Sequence, residues 1–220
     1  EGTSPLTRGR NGAPLMLEFV YWVGMAAVAV NALTGVMEAE RKAIDVMGAT
    51  LVAVATALGG GTVRDVLLNR NIFWIADQTY LITAVVCGLA AFFLLRHREI
   101  PARWFLIPDA VGLALFTAIG TEAALQWHTP WLAASLLGVI TGVFGGVLRD
   151  VLCNEVPLVM RAGELYASAA WLGALLLIGL QEAGVERVWA GGVAMATILL
   201  LRLAAIRYHL TLPSFPVKPE

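Results

Sequence analysis

Apolar residues run along this chain in long blocks broken by short polar intervals. Three of the blocks are Phe19–Val36, Ala102–Ala124 (interrupted by Pro108 and Asp109) and Val188–Leu201. About 20 apolar residues in an α-helix cross a bilayer core of roughly 30 Å. The pattern predicts seven spans, at 17–37, 46–68, 77–95, 105–126, 131–153, 164–181 and 186–206. The expected fold is therefore all-α and polytopic, a single transmembrane domain over residues 16–208. Short connections such as 38–45 and 96–103 make consecutive spans cross in opposite directions. Residues 1–15 are polar and hold Gly, Pro and Arg; they read as a tag or disordered segment ahead of Met16, and residues 209–220 as a Pro-rich tail. Residues 1–15 have no apolar h-region, so they are not a signal peptide.

A repeat organises the spans. Shifting the chain by 85 residues lays Thr56–Asn69 on Thr141–Asn154 without a gap, and eight of the fourteen positions are identical: Thr, Gly, Gly, Arg, Asp, Val, Leu and Asn. Gly35 falls on Gly120, and with one gap Tyr80 or Leu81 faces Leu165–Tyr166. Each copy holds three spans, repeat one over about 17–95 and repeat two over about 105–181, with the span at 186–206 outside both. An odd number of spans inverts the second copy. Inverted repeats are common in transport proteins, whose sites lie near the midplane between the copies.

The repeated motif concentrates the candidate chemistry. Gly59, Gly60 and Gly61 in span 2, and Gly145 and Gly146 in span 5, suit either tight helix packing or a break. Their recurrence between Thr and Arg-Asp favours a break or kink. A broken helix releases backbone carbonyls that lipid cannot satisfy. Such carbonyls, with the hydroxyls of Thr56, Thr62 and Thr141, suit replacement of a cation's hydration shell. Phe144 stands where the first copy has Gly59 and is a gate candidate. Arg64, Asp65, Arg149 and Asp150 either mark helix ends at the headgroups or line water-filled vestibules. Asp109, Glu122 and Glu164 are candidate arginine partners or ion-path groups. Asp77 reads as a helix cap, a role also open to Asp109 and Glu164.

Composition narrows the function. Hydrophobic residues make up 59% of the chain and charged residues 14%, about half the usual share for a soluble domain. The net charge of −1 gives no support to a nucleic-acid partner. Cys87 and Cys153 form no metal or redox motif, and HExxH, GxSxG and Walker sequences are missing. No enzyme activity, cofactor or resident metal is expected. Lys and Arg are in excess on the side reached after the first span, which places that side in the cytoplasm, the N-terminus outside and the C-terminus inside.

At "GGGTVRD" (59–65) and "FGGVLRD" (144–150), with "PDAVGLALFTAIG" (108–120) and "ELYA" (164–167) at matching spacing, the chain resembles the bacterial branch of the trimeric intracellular cation (TRIC) channel family, which overlaps the glycine-transporter-domain family. The resemblance covers about residues 18–206. It implies 3+3+1 helices, glycine-kinked helices 2 and 5 around a hydrated path, and a homotrimer in the inner (plasma) membrane with one pore per protomer. It also implies membrane-lipid contacts and permeation by K⁺, and by Na⁺ as a secondary ion. The alternative function is a small-solute carrier, for example for glycine.

Overall fold

Lipid offers no hydrogen-bond partner to a backbone, so each apolar block closes its own bonds as a helix. The computed structural model describes residues 13–97, 101, 104–161 and 165–212, with side chains from Glu18 onward, Phe19 excepted. The elements are α1 (Ala13–Glu40), α2 (Val46–Leu67), the short α3 (Phe73–Ala76), α4 (Gln78–Leu95), α5 (Leu106–Gln126), α6 (Trp131–Leu152), a 3₁₀ turn at Leu158–Met160, α7 (Ala167–Glu182) and α8 (Arg187–Tyr208). Six helices are long and apolar enough to cross a membrane; α7, at 16 residues, is shorter and takes the place of the sixth span. Among the described residues there is no strand. The helical boundaries match the hydropathy pattern to within a few residues, except that α1 begins at Ala13.

Repeat one is α1, α2 and α4, cored by small and branched residues such as Ala27, Ala32, Ala53, Ala57 and Ala84. Repeat two is α5, α6 and α7, with α8 packed on α5 and α7. Ala114, Ala170 and Ile198 lie in one of its clusters, and Ala118, Leu177 and Ala194 in another. Small side chains at these seams let helices approach where lipid supplies no hydrophobic drive between them. Large apolar side chains such as Leu94, Phe93, Trp189 and Leu200 point outward. Trp104, Trp127 and Trp131 are also exposed, near the helix ends where interfacial anchors belong, and Trp22 is exposed in the first half of α1.

The two repeats meet where α2 crosses α6, and here one expectation is corrected. Neither helix is broken at its glycines: Val46–Leu67 and Trp131–Leu152 each run as one uninterrupted α-helix. The glycines serve close approach. A Cβ at Gly60 would overlap the backbone carbonyl of Thr141, and a Cβ at Gly145 the carbonyl of Thr56. The two contacts are related by the same shift of 85 residues, so the crossing lies on the pseudo-twofold. Breaking either helix in lipid would orphan backbone groups. A glycine crossing leaves the helix continuous and gains contact. The break expected at residues 59–61 and 145–146 is therefore not present.

Candidate functional site

Each repeat builds the same corner from its Arg-Asp pair. Helix α2 ends with Asn69 in the left-handed region (φ 50°), and α6 ends with Asn154 likewise (φ 55°). Asparagine tolerates that conformation better than most residues. Behind each, two backbone bonds close the helix end. Arg70 N–H donates to the Asp65 carbonyl (3.0 Å) and Asn69 N–H to that of Val66 (3.1 Å). Glu155 N–H donates to Asp150 (2.8 Å) and Asn154 N–H to Val151 (3.0 Å). This double bonding satisfies carbonyls that a helix end otherwise leaves open.

The aspartate side chain then pins the next segment. Asp65 Oδ2 accepts from the Phe73 N–H at the start of α3 (2.9 Å), and Asp150 Oδ2 from the Leu158 N–H at the start of the 3₁₀ turn (2.8 Å). The other oxygen takes the neighbouring arginine, with Arg64 Nε and Arg149 Nε each donating to Oδ1 at 2.8 Å. All four side chains are buried. The pairs do mark helix ends, but they do not reach out to the headgroups. Adjacent in sequence, each arginine and aspartate pair with each other, an arrangement that a 100° step along the helix does not by itself favour.

The copies differ in what surrounds this shared corner. Arg149 has a second carboxylate: its Nη1 donates to Asp109 Oδ1 at 2.6 Å, and its guanidinium sits over the Phe105 ring at 5.1 Å. Asp109 is thus the arginine partner and not a cap; the residue before α5 is Phe105, whose side chain makes no capping bond. Tyr166 lies beside Asp109 and Gly146. Arg202 of α8 reaches the same cluster, donating from Nη1 to the Leu165 carbonyl (3.2 Å) with its guanidinium 4.7 Å from the Tyr166 ring centre. In repeat one, Arg64 has no such second carboxylate among the described residues. The shift of 85 puts Gly24 where Asp109 stands, and Arg70 where Glu155 stands. Arg70 adds a second cation to Asp65, Nε to Oδ1 at 3.4 Å. A cavity of about 150 Å³ opens there, lined by Gly24, Gly61, Arg64, Arg70, Tyr80 and Gln126 among others.

The remaining candidates are distributed as follows. Thr56 and Thr141 are buried at the crossing, each donating to the carbonyl four residues back (Val52 and Leu137, both 2.6 Å). Thr62 donates to Leu58 (2.7 Å) and accepts from Trp74 Nε1 (2.9 Å). Phe144 is partly exposed, and Gly59 faces the Leu148 side chain. Glu122 gathers the opposite ends of three helices, accepting from Gln126 (2.9 Å) and from Gln181 of α7 (2.6 Å), with Arg187 of α8 at 3.6 Å. Asp77 caps α4 by accepting from the Thr79 N–H (2.9 Å). Glu164 lies outside the described residues.

Sequence reasoning missed Gly24, Arg202 and Glu38. Glu38 is buried at the end of α1 and accepts both Oε bonds from Arg41 Nη1 (3.1 and 2.9 Å). The signal for Arg202 and Glu38 was a charge inside an apolar block. For Gly24 the signal was its alignment with Asp109 under the same 85-residue shift.

Two halves of like architecture, inverted relative to each other and packed through α2 on α6 and α1 on α5, define a polytopic inverted-repeat membrane protein. Residues 21–96 and 106–182, one block per repeat, match the family model described as "Glycine transporter". The chain belongs to that family and shares the fold of the TRIC channels. The UPF0126 inner membrane protein YadS of Escherichia coli K12 is 40% identical over 199 residues, 89% of this chain and 96% of the relative. A UPF0126 membrane protein of Vibrio cholerae is 40% identical over 200 residues, 89% of this chain and 82% of the relative. Among solved structures, the TRIC trimeric intracellular cation channel orthologue from Rhodobacter sphaeroides superposes with a TM-score of 0.83 at 35% identity, covering 87% of this chain and 99% of that one. A TRIC cation channel studied for conductance superposes at 0.81 and 30% identity, covering 90% and 98%.

Proposed function

We propose that this protein is a cation channel of the inner membrane, homotrimeric, with one path per protomer running along the α2–α6 crossing. The observation that carries the reading is the likeness to the Rhodobacter sphaeroides TRIC orthologue, whose description names a trimeric cation channel, over nearly all of both chains. The site gives this reading a physical outline. The crossing at Gly60 and Gly145 is the narrow point, flanked by Thr56 and Thr141. On the face of the 68–77 connection, the cavity at Arg64 is a vestibule. On the opposite face, the Arg149–Asp109 pair with Tyr166 closes the matching space. Conduction then requires that pair to move. Arg64, Asp65, Arg149 and Asp150 act in this picture by fixing the corners that bound the path, and Phe144 and Thr62 lie on helices that line it. K⁺ is the proposed ion, with the C-terminus in the cytoplasm.

Purified protein in planar bilayers with a KCl gradient is expected to give unitary currents that reverse near the K⁺ equilibrium potential. Silent bilayers formed with folded protein, or reversal near the Cl⁻ potential, contradict the reading.

A further inference from the structure

The two copies of the corner can be laid on each other residue by residue. In repeat two, Asp109 sits between the Arg149 guanidinium and Tyr166, over Gly146. In repeat one, Arg64 and Gly61 hold the matching positions and Tyr80 matches Tyr166 with one gap, the Phe73 ring covers Gly61 at the edge of the cavity, and Gly24 brings no side chain. The space is real: the cavity of about 150 Å³ is several times what one water needs. Tyr80 borders it directly, since a Cβ at Gly24 would lie 3.3 Å from the Tyr80 hydroxyl. Arg64 is only 5% exposed, and among the described residues its hydrogen bonding uses Nε alone. Arg70 lines the same space, with the already engaged Asp65 at 3.4 Å and the Trp127 ring 5.7 Å from its guanidinium carbon.

We propose that this cavity is a binding site for a small carboxylate, which takes the place that the Asp109 side chain occupies in the other half. The protein's second repeat shows what such a corner holds. A buried guanidinium forms its strongest contacts with carboxylates, and a planar two-oxygen group matches its fork. The lining residues described above include two arginines and no carboxylate, so a bare carboxylate is favoured over a zwitterion such as glycine, whose ammonium would face the guanidinium groups. The site does not depend on the channel reading, and its test reads binding without current.

Thermal melting of the detergent-solubilised full chain, followed by tryptophan fluorescence, is the measurement, because a ligand that binds only the folded state raises the midpoint in a saturable way. Sodium acetate should raise it saturably. Sodium chloride at equal ionic strength and methylammonium chloride should not, and glycine should need higher concentrations. Gly24→Asp supplies the carboxylate from the chain itself and should melt without an acetate response. Arg70→Gln keeps the buried pair and should weaken acetate binding roughly tenfold or more, the worth of one charge-assisted hydrogen bond. If Gly24→Asp does not fold, Arg70→Gln decides the matter alone. No saturable acetate effect, an equal effect of chloride, glycine binding tighter than acetate, or an acetate response unchanged in a folded variant each overturns the proposal.

Discussion

Arg149 is fully buried between two carboxylates, Asp109 at 2.6 Å and Asp150 at 2.8 Å. Either aspartate alone can neutralise it; losing both leaves a bare charge inside the protein, which is far more costly than losing one partner of two. Asp109→Asn and Asp150→Asn are each expected to lower stability by about 1–3 kcal/mol, and the double variant by more than their sum. A double-mutant cycle on melting midpoints in detergent checks this, and simple additivity would show that the two aspartates do not share the arginine. The residue scale is also where the sequence was least readable. The Arg-Asp repeat announced itself, but the use of each carboxylate depended on a neighbour 40 residues away for Asp109 and on a backbone N–H eight residues ahead for Asp65 and Asp150. Identity along the chain does not encode those contacts. Gly24 was missed for a related reason: the shift aligns it with Asp109, but its meaning lies in the side chain it lacks.

Glycines in a membrane helix have two readings, and the element decides between them. At the α2–α6 crossing the helices stay whole and the glycines give room for a backbone. The three glycines of α2 are consequently unequal. Gly60→Ala and Gly145→Ala push a methyl group into a carbonyl that cannot yield, and overpacking of this kind costs about 1–3 kcal/mol. Gly59→Ala meets only the flexible end of Leu148, and the second repeat already carries Phe144 at that position. The expected order in melting temperature is Gly59→Ala near wild type, with Gly60→Ala and Gly145→Ala both clearly lower and alike. A Gly59 variant as damaging as the Gly60 variant would contradict the crossing geometry. The helices themselves were legible from hydropathy because burial in lipid needs length and apolar composition alone. Packing against breaking was not legible, because both demand a missing Cβ and only the facing backbone tells them apart.

At the scale of the whole molecule, the repeats are further tied at one face by an exposed pair. Lys42, in the α1–α2 connection, donates to Glu155 at 2.7 Å, and Arg161 approaches the same carboxylate at 3.1 Å. The hydrogen bond and charge of Lys42 hold the Glu155 carboxyl below the usual carboxylate range. A lowered folded-state value means the stabilisation is present at neutral pH, above the unfolded value, and disappears as pH falls through the folded one. Lys42→Gln should therefore melt slightly below wild type at pH 7 in low salt, with the gap closing in acid and in high salt. A gap that persists in acid would assign the effect to packing. The inverted 3+3 plan was readable here from a single 85-residue shift, whereas the attachment of α8 through Arg202 to Tyr166 was not, since that helix has no counterpart in the repeat.

The duplicated corner has a consequence for direction. One copy sets Arg64 and Arg70 against Asp65, while the other sets Arg149 against Asp109 and Asp150, with Glu155 standing where the first has Arg70. Like backbones thus carry unlike polarity near the ends of α2 and α6. For the channel proposed above, mismatched ends of this kind give no reason for equal flow both ways, so equal and opposite voltages in symmetric salt should drive unequal currents through it, and a current–voltage curve symmetric about zero would contradict this.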